Sequence, residues 1–227
     1  RSGGTLMIPA FAMERSQQLL YVIYELMHEG RVPKIPVFLD SPLAIKLTEI
    51  YKRHRSYFSE DVIAQIKPDD PIFSFSGLKK TLTTMESKAI NEVDPPKIII
   101  AGSGMMHAGR ILHHLKRHLP DPNSILLIVG FQAKGSLGRQ LFDGKKKVRI
   151  HGQDVEAHCR IKAIGGYSAH ADQPQLMDWL RPQRKKLKKV FVVQGEEKAS
   201  AVLRDKIKDE LVITASIPQK GITYDII

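Results

Sequence analysis

The sequence predicts an α/β protein. A doubly wound, mostly parallel sheet comes first, and a β-hairpin and a β-α-β-α segment follow it. Three observations carry this. Short apolar runs alternate with amphipathic stretches of helical spacing over the first half of the chain. The apolar runs are continuous rather than alternating, as in strands covered on both faces. The pattern then changes near residue 147, where two strand-like segments flank the turn signal His151-Gly152-Gln153-Asp154. The expected division is therefore a first domain over residues 1–147 and a second segment over residues 148–227.

Taken in order, residues 5–10 read as a strand. Residues 14–28 read as a helix with Leu19, Leu20, Ile23 and Met27 on one face, stopped by Gly30. Residues 35–39 form a second strand, residues 42–54 a second helix opened by Pro42, and residues 59–66 a third helix. Ile72-Phe73-Ser74-Phe75 reads as a short strand and residues 79–93 as a helix ended by Pro95-Pro96. Residues 97–101 are the clearest buried strand. A helix over 108–119, a turn at Pro120-Asp121-Pro122-Asn123 and a strand over 124–129 complete the βα alternation. Residues 147–150 and 155–164 are expected to pair as an antiparallel hairpin. After it come a short helix from Gln173, a strand over 190–193, a helix over 198–211, and edge strands at Ile213 and residues 222–227.

The chain has 227 residues and is 42% hydrophobic, enough for one large domain or two small ones. Its single cysteine, Cys159, excludes an internal disulfide and fits a reducing, cytoplasmic setting. No apolar run approaches the roughly 18 residues of a membrane helix, and no secretory signal pattern is visible. The chain opens Arg1-Ser2-Gly3-Gly4 without Met and is expected to be a piece of a longer protein. A net charge of +11 and a pI near 9.7 favour a polyanionic partner. The charge concentrates in Lys145-Lys146-Lys147 and in residues 184–189, with little aromatic interleaving. Phosphate attraction is therefore expected, and base stacking on an exposed platform is not.

Several stretches could carry chemistry. Gly102-Ser103-Gly104 follows the strongest strand and precedes a helix, a place where backbone N–H groups meet phosphate, though a tight turn uses the same residues. His107 and Arg110 follow it. Gly130-Phe131-Gln132-Ala133-Lys134-Gly135-Ser136 also follows a strand, so Lys134 and Arg139 are candidate phosphate contacts or solvated loop charges. His114 and His118 share a helical face, but no carboxylate completes a zinc-binding helix. Asp40, before Ser41-Pro42, reads as a helix cap in preference to a catalytic carboxylate. Gly166-Tyr167-Ser168-Ala169-His170-Ala171-Asp172 places a histidine among small residues between a strand and a helix, with Asp172 able to orient the imidazole or cap the helix.

These stretches, in this order, resemble the beta-CASP family of RNA-processing metallo-beta-lactamases. The resemblance rests on Ser168-Ala169-His170, on Ile8-Pro9-Ala10-Phe11-Ala12 with residues 15–20, on residues 36–44, on Ala101-Gly102-Ser103-Gly104-Met105-Met106 with Gly109-Arg110, and on residues 130–139. It implies that the last segment belongs to a metallo-beta-lactamase αββα fold. The implied activity is metal-dependent phosphodiester hydrolysis of RNA, endonucleolytic, 5′-3′ exonucleolytic or both, with two zinc ions in the longer protein. It also implies RNA as partner, no membrane, and room for a homodimer. By resemblance His170 acts at the scissile phosphate and Ser168 supports it, while Ser103, Gly104, Arg110, Lys134 and Arg139 hold RNA.

Two departures matter. The family's upstream His-x-His-x-Asp-His zinc motif is absent from this sequence, so the chain by itself is expected to bind no zinc and cleave nothing. The family's metal-ligating histidine after the strand 190–193 is replaced by Gln194, a poor zinc ligand. A non-catalytic RNA-binding or scaffold subunit with a degenerate metal site is therefore the competing reading. A nucleotide-binding α/β enzyme using residues 102–104 ranks last, since no acidic residue is placed to bind a ribose.

Overall fold

A computed structural model describes residues 3–65, 71–168 and 170–225. Among them lie two compact units, residues 1–168 and 169–227.

The first unit is a parallel sheet with helices on both faces. Its elements are β1 (Thr5–Pro9), α1 (Arg15–His28), β2 (Val37–Asp40), α2 (Pro42–Arg53), α3 (Glu60–Gln65), β3 (Leu78–Lys80), α4 (Thr84–Ala89), β4 (Lys97–Ala101), α5 (Ile111–His118), β5 (Ile125–Ile128), α6 (Leu137–Phe142), β6 (Lys147–Ile150), β7 (Gln153–Glu156) and β8 (Arg160–Ala163). The sheet order is β3-β2-β4-β1-β5-β8, every neighbouring pair parallel. The continuous apolar runs have the cause inferred for them, because successive residues point to opposite, equally buried faces. Met7, Phe38, Ile99 and Leu126 pack with Ile111 and Leu115 of α5, Leu141 of α6 and Val148 of β6. Their neighbours Ile8, Val37, Leu39 and Ile100 pack with Leu19, Leu20 and Ile23 of α1 and with Ala44 and Ile45 of α2.

Three local readings are corrected. Residues 72–75 form a turn, closed by Ser74 N–H donating to the Pro71 carbonyl at 2.7 Å. Ile72, Phe73 and Phe75 are buried all the same, with Phe73 edge-on to Tyr51 and Phe75 tilted against Tyr24. Apolar burial thus marked a packed turn, and the strand is β3, three residues later. Residues 79–93 are not one helix. Thr83 Oγ1 accepts from Glu86 N–H at 3.2 Å while a Glu86 carboxylate oxygen accepts from Thr83 N–H at 2.8 Å, and this capping box starts α4 at Thr84. The expected hairpin is shorter. His151 and Gly152, both at positive φ, make its two-residue turn between β6 and β7. His158 and Cys159 N–H then donate to the Leu119 carbonyl, and β8 leaves to pair in parallel with β5.

The second unit contains α7 (Gln173–Leu180), β9 (Lys189–Phe191), α8 (Glu197–Leu211) and β10 (Thr214–Ser216), with β9 and β10 parallel. Its core is Met177, Leu180, Val192, Ile207, Leu211, Ile213 and Ala215. Residues 222–225, expected as an edge strand, form no strand; residues 226 and 227 lie outside the described residues, as does Ile66 at the end of the expected third helix. No described helix is long and apolar enough to cross a membrane.

One packing feature of α5 sets a pH dependence. Burial, with the charge of Lys97 nearby, holds the His118 imidazole well below its ordinary value, at about 4. Its Nε2 is buried without a partner. The neutral form is therefore favoured by folding. That contribution is complete above about pH 6.5 and is lost as pH falls toward 4. Thermal unfolding should show the melting temperature falling across that window, and His118→Leu should flatten the fall without lowering stability much at pH 7.5.

Candidate nucleic-acid interface

Parallel strands deliver their following loops to one edge of the sheet, and ligands of open α/β sheets bind at that carboxyl edge. Here the edge gathers the segments after β1, β2, β4, β5 and β8.

Asp40 closes β2 and is fully buried. Its Oδ1 accepts from Thr81 Oγ1 at 2.6 Å and from Arg110 at 2.8 Å, and its Oδ2 accepts from Ser87 Oγ and meets His114 Nε2, each at 2.7 Å. Burial alone would raise the carboxyl pKa. The hydrogen bonds from His114, Thr81, Ser87 and Arg110 outweigh it and hold the group at about 2. Asp40 is therefore not the cap of α2: Ser41 is, its Oγ accepting from Ala44 N–H at 3.3 Å. His114 faces this carboxylate, and among the described residues no three His, Cys, Asp or Glu side chains converge as a metal site.

Arg110, expected as a phosphate contact, turns inward. Its guanidinium donates to Asp40, to the Thr81 carbonyl at 2.8 Å and to the Leu82 carbonyl at 2.9 Å. It thereby ties the start of α5 to β2 and to the segment after β3. Arg110 and His114 are four apart on one helical face, which was the available sequence signal for this cluster.

The loop after β4 is a closed turn. Ser103 Oγ accepts from the N–H groups of His107 and Ala108 at 3.1 and 3.3 Å, and Ile111 N–H donates to the Gly102 carbonyl. Gly109, at φ +84°, lies so close to that carbonyl that a Cβ would sit 2.3 Å from its oxygen. The loop after β5 is keyed to it. Gln132, buried, donates from Nε2 to the Gly104 and Gly130 carbonyls, each at 3.1 Å. Gly138 leaves room for the Gln132 amide, since a Cβ there would lie 1.7 Å from its Oε1. Ser136 caps α6 through Arg139 N–H, and Arg139 itself pairs with Asp143 at 2.9 Å. Lys134 is exposed on the same loop. Two aromatic side chains of these segments are exposed: Phe11, after β1, at 49% and Phe131, after β5, at 62%.

Beyond β8, the Tyr167 carbonyl accepts from the Arg15 guanidinium, whose Cζ also lies 5.1 Å from the Tyr167 ring centroid. The next residue, Ser168, is exposed. Ala169 of the Ser-Ala-His stretch lies outside the described residues. In the second unit His170 is exposed. Of the two roles open to Asp172, the structure shows the cap: it accepts from Gln175 N–H while Gln175 Oε1 accepts from Asp172 N–H, each at 2.9 Å. Gln194 is exposed beyond β9 at φ +62° and lines a groove with Gln173, Leu176 and Lys198.

Comparison with known proteins identifies these segments. Residues 16–141 match the family described as the Beta-Casp domain, and residues 154–218 match the Zn-dependent metallo-hydrolase RNA specificity domain. A Thermus thermophilus protein named as a ribonuclease is 42% identical over 195 residues, covering 86% of this chain and 44% of its own length. The transcription termination factor FttA of Methanosarcina mazei is 31% identical over 93% of this chain and 34% of its own, and that of Thermococcus kodakarensis 29% over 96% and 34%. The chain thus spans less than half the length of these relatives.

The Asp40 cluster makes a stability prediction. Its stabilisation is present above the ordinary carboxyl value near 3.8 and is lost as pH falls through about 2. Asp40→Asn leaves Arg110 without its charge partner and should destabilise the first unit by about 3 kcal/mol in urea titrations. The gap to wild type should stay constant from about pH 8 to pH 5 and narrow only in strong acid.

Proposed function

The chain belongs to the beta-CASP family of RNA-processing metallo-beta-lactamases, and from that premise we propose that it is the RNA-holding portion of a ribonuclease. The observation that supports this best is the convergence, at the carboxyl edge of one parallel sheet, of the two interlocked glycine loops after β4 and β5 on a chain of net charge +11. Phosphodiester oxygens are the fitting ligands for small-residue loops flanked by cations.

In this reading Ser103 and Gly104 border the path of the strand, and Lys134 and Arg139 attract its phosphates. Arg110 works from within, holding the loop after β4 in place through Asp40. His170 acts at the scissile phosphate as a proton-transferring or phosphate-contacting group, and Ser168 supports it. The reacting metal centre is not built by the described residues: no cluster of three ligating side chains is present among them, and Gln194 offers only an amide. In this reading most of the zinc ligands of the longer protein come from the upstream His-x-His-x-Asp-His motif that the family resemblance implies. Gln194 also supports the alternative of an RNA-binding subunit without cleavage activity. An intact His-x-His-x-Asp-His motif upstream favours the nuclease, and a scrambled one favours the scaffold.

Two outcomes test the reading. Single-stranded RNA should bind with strong salt dependence. Affinity should fall roughly 50-fold between about 50 and 200 mM salt if four or so phosphates are neutralised, and a flat salt response in anisotropy titrations would remove the phosphate reading. Calorimetry with zinc should give no stoichiometric submicromolar site on the 227-residue chain, whereas such a site would show that Gln194 and its surroundings had been misread.

A further inference from the structure

We propose that Phe11 and Phe131 form a nucleobase-stacking site, so that the carboxyl edge grips a base as well as phosphates. The inference rests on the RNA reading above and deepens it.

Both residues belong to segments that meet at the loop after β4. Phe11 follows β1 and Phe131 follows β5, and these strands are neighbours in the sheet. The Phe11 ring lies against Gly104, where an added Cβ would come within 3.0 Å of it. Phe131 is joined to Gln132, whose amide donates to the carbonyl of that same Gly104 at 3.1 Å. The two segments thus meet at Gly104, a buried glycine on which the Phe11 ring packs. Phe11 is 49% exposed and Phe131 62% exposed, and among the described residues neither pairs with another aromatic ring.

Two exposed phenylalanines on neighbouring strand ends at a ligand-binding edge suit a ligand with a flat apolar face. Charge selects its class. The same loops carry Lys134, Arg139 and His107, and the chain as a whole carries +11. A flat π-face attached to a polyanion describes the base of a single-stranded nucleic acid, not an apolar protein surface. Single strandedness follows because bases within a duplex present no free face. Every base has a π-face, so the site should be tolerant of sequence and add affinity without specifying a base.

The test compares a short oligoadenylate RNA with an abasic ribose-phosphate strand of equal length, by anisotropy on the intact chain. Wild type should bind the oligoadenylate at least tenfold more tightly. Phe131→Ala and Phe11→Ala should each weaken oligoadenylate about tenfold, within the range one stacked base contributes, and leave the abasic strand unchanged. Phe131→Tyr should retain the preference and Phe131→Leu should lose it. Phe11 packs on Gly104, so its variant is checked by circular dichroism; if it misfolds, the exposed Phe131 series decides alone. Equal binding of the two strands by wild type, or equal weakening of both by the variants, would overturn the stacking site while leaving the RNA reading intact. Failure of wild type to bind either strand would remove both. Self-association abolished by the alanine variants, with RNA affinity unchanged, would assign the rings to a second copy of the chain and overturn the proposal.

Discussion

A single buried carboxylate organises the carboxyl edge of this sheet. Asp40 sits at the end of β2 with no access to water, and four side chains from three other segments converge on it. A buried charge is tolerable only when paired and fully hydrogen-bonded, and then removing one partner is expensive. Thr81 and Ser87 bring in the chain after β3, and Arg110 and His114 bring in the first two turns of α5. The start of α5 is in turn the far end of the loop after β4. One ion therefore fixes the position of a loop that it does not touch.

From that loop the constraint passes outward by backbone contacts rather than charge. Gly109 folds under the Gly102 carbonyl, Gly104 receives the Gln132 amide, and Gly138 makes space for it. Each glycine sits where another group has taken the volume a Cβ would need. Gly104, Gly109 and Gly138 thus have a packing reason that is independent of any ligand. A ligand reading gains from this: loops set by close packing require little ordering when a strand binds, so less binding energy is lost to immobilising them.

The sheet was legible in the sequence because both its faces are buried, which makes residues 98–101 and 125–129 uninterrupted apolar runs. α1 and α2 were legible for the opposite reason, a single buried stripe at helical spacing. The misses share one cause. Residues 72–75 are mostly apolar without being a strand, and residues 155–164 alternate like one strand yet divide into β7 and β8, because pattern reports burial while pairing depends on partners distant in the chain. The capping box at Thr83 was visible in the sequence as Thr-x-x-Glu and outweighs the helical spacing read before it. In the site, the motifs were readable as spacing and the roles were not. Arg110 and Asp40 lie 70 residues apart, and only the β2–β4 pairing brings them together. The sparse aromatic content was legible, but that Phe11 and Phe131 follow neighbouring strands and stay exposed was not, because it depends on the β1–β5 pairing.

The two kinds of contact proposed for the carboxyl edge would divide the work of holding RNA. Phosphate attraction acts at a distance, is screened by salt and carries no preference between single and double strands beyond charge density. Stacking acts only on contact, is insensitive to salt and needs an unpaired base. A surface with cations alone would hold duplex at least as well as single strand. In the proposed stacking site, Phe11 and Phe131 would supply the missing discrimination, since a base could reach them only after leaving its helix. If the proposed role holds, charge would set how fast RNA arrives and the rings would set which form of it stays.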